Sequence, residues 1–232
     1  MTESSIPERR EFLGKVAAGA IALGMSGAFT KALAAEHLLA RDIKPSDKWL
    51  ESITGKHRQF FDMPNHENGM GLIHVRNYLN TLRDTYGVTH PKATAVVGLY
   101  GMSTPLAFND AMWKKYGLAN PIKVMNGSNT PADANVFYSA PSGAANLSLT
   151  GAPIGIPADS SISALQQRGG VFILCNNAFN VWMGLLSGGD ASKTPALREE
   201  FAANLLPGVF LVPAMVVAIN QAQMHGCTYM YL

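Results

Sequence analysis

Cys175 and Cys227 are the only cysteines in the 232-residue chain. They form no CxxC pair and no CxxCH haem-attachment motif, and HExxH is absent as well. Cys175 closes the apolar run Val171-Phe172-Ile173-Leu174 and is followed by Asn176-Asn177, where a strand gives way to a helix. Ligands of α/β sheets collect at that edge. A helix N-terminus also favours the anionic form of a thiol, the form that acts as nucleophile. One reading of Cys175 is therefore a nucleophilic or redox-active sulfur. The other is a small buried residue, since free cysteine is among the most buried residue types. Asn176 and Asn177 orient a ligand on the first reading and cap the helix on the second.

A second set of polar residues precedes it. His57, His66 and His74, with Asp62 and Glu67, form a cluster whose spacing matches no standard metal site. These motifs make no metal and no cofactor evident, and a metal or catalytic role for the cluster stands beside surface and capping roles. His66 falls just past the strand-like segment Arg58–Met63, and His74 falls in the first turn of the helix that follows. Both are expected to reach the sheet edge that carries Cys175 and Tyr100, so His66, His74 and Tyr100 are candidate partners of the thiol. Gly101 is a candidate ligand contact. Capping and surface roles are the alternatives. Met112, Trp113, Trp182, Met183 and Met215 fall at helical positions and read as core or subunit interface.

The elements that must position these residues follow from the hydrophobic pattern. Leu72, Val75, Leu79, Leu82 and Tyr86 recur at helical spacing up to Gly87. Ala93–Tyr100 is continuously apolar, the mark of a strand buried on both faces. Ser103 or Thr104 is expected to cap a helix running to Tyr116, with Pro105 in its first turn. Residues 117–157 lack periodicity and read as an irregular arm, a lid or a packing element. Helices are then expected from Asp159 or Ser160 to Gln167, over Asn176–Leu186, over Pro195–Asn204 and from Pro213 to Gly226. Strands are expected at Val171–Cys175, Val209–Val212 and Thr228–Leu232. Short apolar strands alternating with helices predict a three-layer α/β/α domain with a mainly parallel sheet. Cys175 then ends one strand while Cys227 begins another. A five-residue strand spans about 16 Å, against the roughly 7 Å between Cα atoms that a disulfide tolerates. The two are expected to stay unbonded.

The N-terminus carries an address. Arg9-Arg10, Phe12-Leu13 and Lys15 precede an uncharged small-residue stretch, Val16–Phe29, and then Ala32-Leu33-Ala34-Ala35. A basic segment, a mildly apolar segment and a small-x-small site make an export signal, and the paired arginines point to the twin-arginine route. The apolar stretch is shorter than the about 20 residues a membrane span needs. Residues 1–35 are expected to be cleaved, leaving a single domain over 36–232 outside the cytoplasm, with no stable membrane insertion. The whole chain holds 18 basic and 16 acidic residues, a balance that argues against a nucleic-acid partner, because phosphate binding needs a clustered basic surface.

The C-terminal third resembles a known family. Gly170–Ala178 looks like the glycine–strand–cysteine–asparagine segment of the DsrE/DsrF-like proteins. Leu206-Pro207-Gly208-Val209, Val212–Ile219 and Gly226–Met230 are similar to that family's closing strand–helix–strand. Phe60-Phe61-Asp62, Asn77, Asn80 and Val96–Gly101 match more loosely. The resemblance spans roughly residues 57–116 and 158–232. It implies a small three-layer α/β domain that assembles into trimers or hexamers and takes up sulfur as a persulfide on a cysteine near a strand end. Two features depart from it: those relay proteins work in the cytoplasm, and the 117–157 insertion has no counterpart. The other functional classes carried forward are a non-catalytic ligand-binding or assembly module and a cofactor-loaded enzyme folded before export.

Overall fold

The computed structural model of the chain describes residues 45–139, 146–149, 152–155 and 157–232. Residues 1–35, the expected export signal, lie outside the described residues, as does part of the 117–157 insertion. In chain order the strands are β1 (His57–Met63), β2 (Ala93–Leu99), β3 (Asn146–Leu149), β4 (Ala152–Gly155), β5 (Gly170–Cys175), β6 (Val209–Val212) and β7 (Thr228–Tyr231). The helices are α1 (Met70–Tyr86), α2 (Asp110–Tyr116), α3 (Ala119–Ile122), α4 (Ile162–Gln166), α5 (Asn176–Leu186), α6 (Thr194–Ala203) and α7 (Met215–Met224).

Five of the strands form one sheet in the order β6-β5-β2-β1-β7. Every pairing in it is parallel. β2, at the centre, is buried at every residue, which is why its sequence is apolar without alternation. Side chains alternate between two cores. Phe61, Met63, Ala95, Val97, Leu99, Phe172 and Leu174 meet α1, α2, α4, α5 and α6 on the first face. Phe60, Val96, Val171, Ile173, Cys175 and Val212 meet α7 and the turn around Trp49, Leu50 and Ile53 on the second. The result is the three-layer α/β/α fold that the strand–helix alternation predicts.

Residues 45–52 form a 3₁₀ turn whose buried Trp49 and Leu50 complete the cover that α7 gives to the second face. Two local expectations are corrected. The helix expected from Ser103 to Tyr116 is split into a 3₁₀ turn, Gly101–Ala107, and α2. The break comes at Asn109, whose side chain caps α2 by accepting from the Met112 N–H, while Phe108 bridges to Leu205. Ser103 caps nothing in α2; its hydroxyl donates to the Met63 carbonyl and accepts from the Tyr100 N–H. The first part of the expected irregular arm is anchored within its own subunit. Val124, Ala132, Val136 and Phe137 are buried in the first core, and the Asn135 amide donates to the Leu106 and Phe108 carbonyls.

Candidate functional site

The chain path decides where a site belongs. It steps β1, β2, β5, β6 in one direction with its connections on the first face, then returns through α7 on the second face to reach β7. The exit of β5 leads to the first face and the exit of the neighbouring β6 to the second. Adjacent connections that part in this way open a crevice at the carboxyl ends of those strands. Cys175 ends β5 and is in register with Val212 at the end of β6. It therefore stands at the switch point.

Cys175 is 5% exposed and points to the second face. Its backbone begins α5 as the N-cap, but its side chain makes no cap bond there. The sulfur turns instead to α7, where the Met215 N–H donates to Sγ at 3.3 Å. The helix N-terminus that meets the thiol thus comes from 40 residues downstream rather than from the adjacent helix, a pairing that local sequence cannot reveal. Gly98 makes room for it: a Cβ there would lie 2.7 Å from the Met215 Sδ and 2.9 Å from the Phe60 ring. Cys227, at the amino end of β7, is also a free buried thiol, and burial pushes its pKa up to about 11.

The other expected residues divide. Tyr100, directly after β2, packs half-buried against the second core beside Cys175. Asn176 and Asn177 open α5; Asn176 accepts from Arg198 Nη2 at 2.7 Å, and Asn177 is exposed. Gly101 has φ +58°, and a Cβ there would sit 2.8 Å from the Pro64 carbonyl oxygen. Its own carbonyl accepts from the Trp182 indole at 2.8 Å, so its contacts are those of a tight turn. His66 faces away from the thiol. Its Nδ1 accepts the Asn68 N–H, which leaves Nε2 as the donor to the Ile122 carbonyl at 2.8 Å. The ring lies beside Phe137 of the first core. Burial lowers the His66 pKa, opposed in part by the Ile122 hydrogen bond and the Glu67 charge. His74 is exposed on α1. The expected gathering of His66 and His74 around Cys175 is thus replaced by one histidine in the opposite core and one in solvent. His57 begins β1 and His66 follows its end, so about 20 Å of strand separates them. Among the described residues no group of three or more His, Cys, Asp or Glu could hold a metal ion.

Beside Tyr100 the second face carries Asp62, which the motif reading grouped with the histidines rather than with the tyrosines of β7. Asp62 is buried near the end of β1, and the Tyr229 hydroxyl of β7 donates to its Oδ2 at 2.6 Å. The available signal was a carboxylate inside the otherwise apolar strand end Phe60-Phe61-Asp62-Met63. Hydrogen bonding to Asp62, with burial, pushes the Tyr229 pKa to about 12. Burial, then Asp62, raises that of Tyr100.

Two clefts open at the opposite, amino-terminal edge. One of about 570 Å³ is lined by Ser52, Thr54, His90, Gln166 and Phe210, among others. The other, of about 350 Å³, lies between Arg83, His90 and Arg168. Among the described residues no helix is long and apolar enough to cross a membrane.

No protein-family model matches the chain, and no curated protein does. A solved structure of a protein of unknown function from Methanobacterium thermoautotrophicum is similar at 16% identity, with a TM-score of 0.39, over 76% of this chain and 99% of that one.

Proposed function

We propose that the chain is an exported, oligomeric, DsrE/DsrF-like protein that handles sulfur through Cys175. The observation that carries this reading is the Met215 N–H donated to Sγ at the carboxyl ends of β5 and β6. A sulfur held there is offered the fixed positive end of α7. In the proposed step the Cys175 thiolate attacks the terminal sulfur of a donor persulfide. A new S–S bond forms on Cys175, the donor's S–S bond breaks, and the donor leaves as a thiolate, with no net oxidation. The twin-arginine signal sets the compartment, and its export machinery is the partner of the precursor. At 5% exposure, Cys175 meets a donor when the Pro213–Met215 turn opens.

A second reading, a non-catalytic binding or assembly module, is favoured by that same burial and by α7. Val216 is 76% and Val217 50% exposed on this helix. Cys175→Ser separates the two: on the sulfur-handling reading, incubation with a persulfide donor loads sulfane sulfur on the wild type and none on the variant. Equal loading of both proteins would leave the assembly reading standing alone.

A further inference from the structure

Asp62 is 3% exposed, on the second face of the sheet, in register with Gly98 and Tyr231. One carboxylate oxygen takes the Tyr229 hydroxyl. The other, Oδ1, is buried and has no hydrogen-bond partner among the described residues. Buried polar atoms are nearly always paired, so an orphaned carboxylate oxygen calls for a reason. Its charge is also unmatched: the ion pairs among the described residues join Arg76 and Arg168 to Asp159, Arg83 to Asp84, Lys115 to Glu200 and Lys193 to Asp190. Arg58 lies on the same face of β1, but its guanidinium is turned to the amino end, where it donates to the Gly55 and His225 carbonyls.

Around this carboxylate stand Tyr229, which donates to Oδ2, Tyr231, its register partner on β7, and Tyr100, whose side chain also hydrogen-bonds to Asp62. Tyr229 stacks on Phe60 with ring centroids 6.5 Å apart. Tyr231, 63% exposed, forms the outer rim. The cluster lies at the carboxyl edge, where ligands of parallel sheets bind. An unpaired acceptor asks for an N–H or O–H donor, an uncompensated carboxylate asks for a cation, and aromatic faces favour an ammonium group.

We propose that Asp62, with Tyr100, Tyr229 and Tyr231, forms a binding site for a small protonated primary or secondary amine. The ammonium N–H pairs with Oδ1, and its alkyl part lies against the tyrosine rings. Entry is past the edge strand β7, by displacement of the exposed Tyr229 and Tyr231 side chains. The site uses no atom of Cys175 and stands independently of the sulfur reading.

The test is calorimetric titration of the whole folded chain with ethylammonium, and with two comparators that each lack one feature. Tetramethylammonium has the charge without the N–H; acetamide has the N–H without the charge. Saturable ethylammonium binding is expected, about tenfold or more tighter than either comparator, since hydrogen bonds between charged groups are the strong ones. Asp62→Asn is expected to weaken it about tenfold or more with unchanged circular dichroism. Should that variant not fold, Tyr231→Ala, altered at an exposed position, is expected to weaken binding about threefold or more. Cys175→Ser is expected to bind as the wild type does, so loss of the sulfur reading leaves this result intact. Absence of saturable ethylammonium binding, equal affinity for tetramethylammonium, or an unchanged affinity in folded Asp62→Asn or in Tyr231→Ala would each overturn the proposal.

Discussion

At the residue scale His66 shows why a histidine beside a predicted site need not serve it. Its two ring nitrogens are both spent, one accepting from Asn68 and one donating to Ile122. Replacing it by Ala strands the Ile122 carbonyl and removes the acceptor of the Asn68 N–H. The expected loss is about 1–3 kcal/mol, measurable by urea unfolding. Its ionisation also has a signed consequence. Burial lowers the folded pKa below the ordinary value, so the folded state prefers the neutral ring. That stabilising share is fully present above about pH 6.5, the unfolded value, and is lost as pH falls from there towards the lowered folded pKa. In His66→Asn the unfolding free energy should vary less with pH across this window than in the wild type. An identical pH slope in the two proteins would contradict the assignment. Sequence spacing placed His66 correctly at the end of β1 but could not say which face it would take. Its direction depends on the carbonyl of Ile122, 56 residues later.

At the scale of elements, α7 is the piece on which the site turns. Its first N–H reaches Cys175 only because Gly98 lets Met215 press against the sheet. In Gly98→Ala the added methyl group meets the Met215 sulfur and the Phe60 ring. Overpacking of this kind costs about 1–3 kcal/mol, read by thermal unfolding. The same variant should make the thiol react faster with a neutral alkylating reagent, because the Pro213–Met215 turn is pushed outward. A slower or unchanged rate would argue that this turn does not gate the sulfur. Arg198 does comparable work on the first face. It clamps α6 to α5 through Asn176 and Asn180, 2.7 Å from each, and lies 4.7 Å over the Phe179 ring. The strands and long helices were legible because their periodicity is imposed by burial on one face or on two. The split between Gly101–Ala107 and α2 was not, since Asn109 could be read as a helical residue as readily as a cap. Ser161 likewise caps α4 by accepting from the Ala164 N–H, where Asp159 or Ser160 was expected.

On the whole-molecule scale the two layers are unequal. The first face is covered by α1, α2, α4, α5 and α6, whereas the second has α7 and the 45–52 turn. The outer side of α7 mixes apolar and polar residues: Val216, Val217 and Met224 are exposed beside Asn220 and Gln223. The two adjacent valines at its start are the apolar surface that the proposed oligomer would cover. Val216→Glu combined with Val217→Glu should shift the native mass spectrum to the monomer without altering the circular dichroism. Retention of the oligomer would place its interface elsewhere. The parallel sheet, and with it the position of Cys175 at a strand end, could be read from alternating apolar runs, whereas the strand order could not. The thiol's partner and the Asp62 cluster could not, because both arise where α7 and β7 fold back across three other strands.

The central claim is that Cys175 accepts sulfur. Peptide mass spectrometry of the folded protein, alkylated without reduction after exposure to a persulfide donor, addresses it most directly. The account predicts one added sulfur atom on the peptide carrying Cys175, and none on the peptide carrying Cys227. An unmodified Cys175 in correctly folded protein, at donor concentrations that modify other accessible thiols, would contradict it.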